Sequence, residues 1–122
     1  MKSKYKAFGI VVVAAVLSVL STQPALADGV ASSADSPRGA HIVYTTVNHH
    51  FTVFDDKYDG WGAYGRVTYD VGGAGVCINE QGFNTTVTCL LTPGYKISYY
   101  ACLEHNAGAT TAYCGATIRD NS

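Results

Sequence analysis

Two stretches of this chain alternate residue by residue. Across residues 61–69, Trp61, Ala63, Gly65, Val67 and Tyr69 fall on one face of an extended chain, and Gly62, Tyr64, Arg66 and Thr68 on the other. Across residues 95–104, Tyr95, Ile97, Tyr99, Ala101 and Leu103 alternate against Lys96, Ser98, Tyr100, Cys102 and Glu104. A period of two marks a half-buried strand, and the first set of each stretch supplies the predicted core face. The β-branched runs 41–47 and 51–54 predict two more strands around Asn48-His49-His50, and the Asp and Gly content of residues 55–60 predicts a turn. Gly62 and Gly65 inside a strand predict a bend or a close backbone approach. No helical period is sustained beyond the first 27 residues. The pattern predicts an all-β chain, a small antiparallel β-sandwich of six or seven short strands.

The cysteines repeat a pattern. Cys77 to Cys89 and Cys102 to Cys114 each enclose eleven residues, with an aliphatic residue after the first cysteine and a Thr-Thr pair at the same offset. We expect two disulfide-clamped hairpins, with turns at Gly82-Phe83-Asn84 and Ala107-Gly108-Ala109. Gln81 would then face Thr85, Asn106 would face Thr110, and each cysteine would face its partner. Three-residue hairpin loops place one residue in the left-handed region, which Gly or Asn adopts readily. Four cysteines allow three connectivities, of which this reading expects 77–89 and 102–114.

The chain opens with Lys2, Lys4 and Lys6, a thirteen-residue apolar run at 8–20 and the small-residue site Ala25-Leu26-Ala27. That is the order of a secretory signal peptide, and the run falls short of the ~20 residues that span a bilayer. The expected division is a signal peptide at 1–27, a flexible arm at 28–39 and the β-sandwich domain at 40–122. The arm is Ser/Ala/Asp-rich, and its removal is expected to leave the melting temperature nearly unchanged. Beyond residue 27 stand five bases and all nine acids, a net charge of −4. Scattered bases on an acidic surface argue against nucleic acid, and against membrane binding after cleavage. Export makes disulfides chemically reasonable.

The turn Leu91-Thr92-Pro93-Gly94-Tyr95, leading into a Tyr-rich strand, resembles the corresponding corner of fibronectin type III and immunoglobulin-like domains over about fifteen residues. From residue 55 onward the chain also resembles small secreted, disulfide-bonded proteins of actinomycetes. That likeness rests on Val53-Phe54-Asp55, Asp59-Gly60-Trp61-Gly62-Ala63-Tyr64, Ile97-Ser98-Tyr99-Tyr100-Ala101-Cys102 and Tyr113-Cys114-Gly115. It implies a secreted disulfide-bonded sandwich, and some small exported proteins of that group serve as adaptors in toxin particles.

Candidate chemistry is sparse. No Gly-x-Ser-x-Gly elbow occurs. His49 and His50 are neighbours, so on a strand they point to opposite faces, and His41 stands at no ligand spacing. Asp55, Asp56 and Asp59 lack the order of an EF-hand loop, which leaves an acidic turn with a weak Ca²⁺ site as the alternative. Glu80 and Glu104, weighed as a glycosidase pair, stand at different offsets in their two units. Asn84-Thr85-Thr86 fits an N-glycosylation sequon. The reading assigns no metal and no cofactor. The expected function is a secreted, non-enzymatic module that binds another extracellular protein. The alternatives are an inhibitor of a secreted hydrolase and a carbohydrate-binding domain. The candidate binding surface is Trp61, Tyr64, Tyr100, Gly82, Phe83 and Asn84.

Overall fold

The computed structural model describes residues 29–122; the leader assigned to residues 1–27 lies outside the described residues. Nine strands, and no helix among the described residues, follow in order. They are β1 (Gly29–Ser32), β2 (Ala40–Thr45), β3 (His50–Asp55), β4 (Gly62–Tyr69), β5 (Ala74–Asn79), β6 (Thr85–Leu90), β7 (Lys96–His105), β8 (Thr110–Ala112) and β9 (Ile118–Asn121). One sheet has the order β1-β2-β3-β6 and the other β5-β4-β7-β8, with β9 also pairing with β7. Every pairing is antiparallel.

The two sheets share one core. Ile42, Tyr44, Phe51 and Val53 of the first sheet pack with Ala63, Val67, Ile97, Tyr99, Ala101 and Leu103 of the second. These are the faces that the alternation predicts for β4 and β7. Tyr99 meets the Phe51 ring edge-on at 5.4 Å and the Tyr44 ring at 6.0 Å. Gly65 lets this happen: a methyl there would stand 2.7 Å from the Phe51 ring and 3.0 Å from Ile42.

The segment read as a free arm is not free. Gly29–Ser32 forms β1 against β2, with Gly29 opposite Tyr44 and Ser32 opposite His41. Ala31 and Ser33 are buried. Ser33 Oγ donates to Asp35 and accepts from the amides of Gly39 and Ala40, which folds residues 33–40 into a closed loop. The Ala34 amide also donates to the Tyr113 carbonyl at 2.7 Å. This segment gains order from backbone pairing, the Ser33 network and burial of the small Ala31 side chain in the core, which composition does not register. The domain therefore begins at β1 and not at residue 40.

Both expected disulfides are present, Cys77–Cys89 and Cys102–Cys114. The hairpin around the first is not. β5 pairs with β4 and places Cys77 opposite Gly65, whereas β6 pairs with β3 and places Cys89 opposite Phe51. The first disulfide thus joins the two sheets. The expected turn at residues 82–84 survives as a crossover, with Gly82 and Asn84 both in the left-handed region. β6 finds its partner through Val87 opposite Val53 and a Thr88–Thr52 hydroxyl bond of 2.9 Å. The second unit is a hairpin, shifted by one residue. His105 faces Thr110, so the turn has four residues, and Asn106, Ala107 and Gly108 all take positive φ. Tyr113, at φ 54°, bends the chain after β8 and carries Cys114 back to Cys102.

Candidate functional site

Three connections meet at one end of the two sheets: the β3–β4 crossover, the β5–β6 crossover and the β7–β8 turn. Between them lies a cleft of about 280 Å³, lined chiefly by Asp55, Tyr58, Asp59, Trp61, Phe83 and Glu104. Gly82, Glu80, Lys57 and His105 complete its wall. The sequence candidates Trp61, Gly82 and Phe83 come together here.

Each wall is fixed by polar contacts. Asp59 Oδ1 accepts the Trp61 amide at 3.0 Å, and the Trp61 ring stacks on His105 with centroids 3.7 Å apart. On the other side, fully buried Asn79 holds the β5–β6 crossover. Its Nδ2 donates to the carbonyls of Val53 and Thr85, and its Oδ1 accepts from the Gln81 amide and the Thr85 hydroxyl. The Asn84 amide donates to the Asp55 carbonyl at 2.8 Å, which ties that crossover to the end of β3. Against this frame the aromatic tips remain in solvent: Tyr58 is 91% exposed and Phe83 52%.

Two carboxyl groups, the exposed Glu80 and the buried Glu104, line the same cleft. Their different offsets in the cysteine units do not keep them apart, because one unit is a crossover and the other a hairpin. Glu80 Oε2 accepts the Ala107 amide at 2.8 Å and Glu104 Oε1 accepts the Gly108 amide at 2.7 Å. The left-handed turn at 106–108 aims two successive N–H groups at the pair. Gly62 leaves the room, since a methyl there would fall on the Glu104 carboxylate. Burial pushes the Glu104 carboxyl above its ordinary range, and the charge and hydrogen bond of Glu80 add to this against the Gly108 amide.

Burial likewise pushes Asp55 up, with Asp59 and Asp56 adding repulsion against one hydrogen bond from the Lys57 amide. Lys57 turns its charge elsewhere. Its Nζ lies 2.7 Å from Asp35 Oδ2 and donates to the Pro37 carbonyl at 2.9 Å. Burial works to raise the Asp35 carboxyl, yet hydrogen bonds from Lys57, Ser33 and Gly39 outweigh it and hold Asp35 below its ordinary range.

No known family model, curated protein or solved structure matches the chain. The site therefore rests on its own geometry.

The remaining candidates lie elsewhere. Tyr64 is buried on the outer face of β4, under Ile78 and the turn at Gly108, and is no recognition tyrosine. The curl of the β7–β8 hairpin over the sheet covers it, and alternation alone does not foresee that cover. Tyr100 is half-buried on the same outer face, opposite Arg66. Asn84 is exposed beside Phe83 but does not line the cleft. The three aspartates of the acidic turn diverge. Asp56 pairs with His41 at 2.5 Å and Arg38 at 3.4 Å, Asp59 caps Trp61, and Asp55 is buried at the cleft. Among the described residues, no group of three His, Cys, Asp or Glu side chains is placed to hold a metal ion.

Proposed function

We propose that this protein is a secreted, non-enzymatic module that binds another extracellular protein through the cleft between the three connections. It would do so on an immunoglobulin- or fibronectin-like β-sandwich. The observation that carries this reading is the convergence of Tyr58, Trp61 and Phe83, from the two crossovers between the sheets, on one cleft. The exposed rings of Tyr58 and Phe83 add little to folding, whereas aromatic anchors dominate the binding energy of protein interfaces. The frame around them is pre-ordered by Asn79, Asp59 and the Cys77–Cys89 bond, which lowers the entropy lost on binding. Two disulfides fit an extracellular protein. An inhibitor of a secreted hydrolase is a special case of the same surface, with Phe83 at the tip of the disulfide-bounded crossover.

A carbohydrate partner is the second reading, favoured by aromatic rings beside carboxylates in one cleft. Capture from culture supernatant by the immobilised mature protein, beside its Tyr58→Ser/Phe83→Ser variant, separates the outcomes. A protein retained by the wild type and lost by the variant supports the proposal. A glycan retained with the same dependence supports the second reading, and equal retention by both proteins rejects the cleft.

A further inference from the structure

We infer that the cleft recognises a cationic side chain, lysine or arginine, presented by a partner polypeptide. In this arrangement Asp55 and Asp59 take the charge while Trp61 and Phe83 flank the alkyl stem. The inference rests on the cleft being the binding surface and names what it selects.

Charge points this way first. Asp55, Asp59, Glu80 and Glu104 line the cleft, and the lysine beside them, Lys57, is committed to Asp35 and Pro37. An acidic wall around an apolar opening attracts a group that is positive at one end and apolar along its length.

Asp55 is the second and independent sign. It is 3% exposed, and Oδ1 accepts only a long hydrogen bond of 3.4 Å from the Lys57 amide. Oδ2 accepts no hydrogen bond from the described residues. A largely buried carboxylate that opens only onto the cleft and holds one long hydrogen bond is poorly solvated, and a bound ammonium or guanidinium relieves that cost. Asp59 is half-buried on the same cleft, and its Oδ1 caps Trp61. The repulsion of Asp55 by Asp59 and Asp56 is also what a ligand cation neutralises.

Size narrows the class. The cleft's 280 Å³ falls just below the ~300–1,000 Å³ span of small-molecule pockets, which suits one long side chain better than an oligosaccharide. The walls match such a stem, because aromatic faces pack against the methylenes of Lys or Arg and attract the cationic head.

The test uses octapeptide pools randomised around one fixed central residue: Arg, Lys, norleucine or Glu. Trp61 is the chain's single tryptophan and lines the cleft, so its fluorescence reads the titration directly. The Arg and Lys pools should bind about tenfold tighter than the norleucine pool, the scale of one charged hydrogen bond. That preference should shrink between about 50 and about 500 mM NaCl. It should vanish in the Asp55→Asn/Asp59→Asn variant, whose thermal unfolding serves as the folding control. Should that variant fail to fold, Asp59→Asn alone should still lower the preference severalfold. Norleucine or Glu pools binding as tightly as Arg, or a preference indifferent to these substitutions, would overturn the inference. Its failure is separable from that of the cleft reading. Partner capture lost in Tyr58→Ser/Phe83→Ser without any Arg or Lys preference sinks the cation alone. Capture unaffected by that variant sinks the cleft.

Discussion

The Asn79 side chain of β5 donates a hydrogen bond to the Val53 carbonyl of β3, 3.2 Å away, and so links strands that belong to different sheets. The same amide closes on Thr85 and Gln81, so one fully buried residue satisfies groups from three segments. Removing it leaves buried acceptors and donors without partners. Asn79→Ala should cost about 2–4 kcal/mol in urea unfolding, from several bonds of ~1 kcal/mol plus the penalty of unmet groups. A loss below about 1 kcal/mol would contradict the role assigned to Asn79.

The two disulfides span the same sequence separation, 12 residues, although one joins sheets and the other closes a hairpin end. In the chain-entropy model the stabilisation depends on loop length, about 3 kcal/mol for loops of this size. Cys77→Ala/Cys89→Ala and Cys102→Ala/Cys114→Ala should therefore lose similar stability by denaturant titration. A gap above about 2 kcal/mol would show that native-state packing, not the unfolded chain, sets their worth.

Deletion of residues 28–33 removes β1 and the Ser33 network, so the melting temperature should fall. A loss of at least about 2 kcal/mol is expected, the scale of a broken buried hydrogen-bond network. An unchanged melting temperature would instead restore the free arm that composition suggests.

The raised Glu104 carboxyl sets a pH dependence. Folding holds its proton above the ordinary value of 4.5, so this contribution is fully present below that value. It is lost as pH rises through the folded-state pKa, where Glu104 ionises beside Glu80. Glu104→Gln keeps the oxygen that accepts the Gly108 amide and cannot ionise. Its melting temperature relative to wild type should rise with pH across that window. A difference that stays flat or falls with pH would refute the strained carboxyl pair.

Much of the fold was legible where a local rule had one outcome. The core faces of β4 and β7 follow from alternation, and Gly65 sits where a close approach was expected because Phe51 packs onto its backbone. The cysteine repeat predicted the linkages but not the strands around Cys77 and Cys89. A disulfide needs its cysteines close and does not say whether they share a sheet. Here β6 pairs with β3, where Val87 faces Val53 and the Thr88 and Thr52 hydroxyls bond. The cleft was half legible. Trp61 and Phe83 stood out as aromatics near turns, but Tyr58, Asp55 and the Glu80–Glu104 pair gain meaning only once three connections meet. Tyr64 misled because the same alternation that places it outward is blind to a hairpin folding back over it.

The central claim is that the cleft around Trp61 is the binding surface, and Trp61 itself reports on it. The most direct measurement is acrylamide quenching of its fluorescence, with and without the captured partner. The account predicts a saturable change in emission and lower quenching at saturation, as the partner covers the cleft. Partner binding that leaves both emission and quenching unchanged would contradict it.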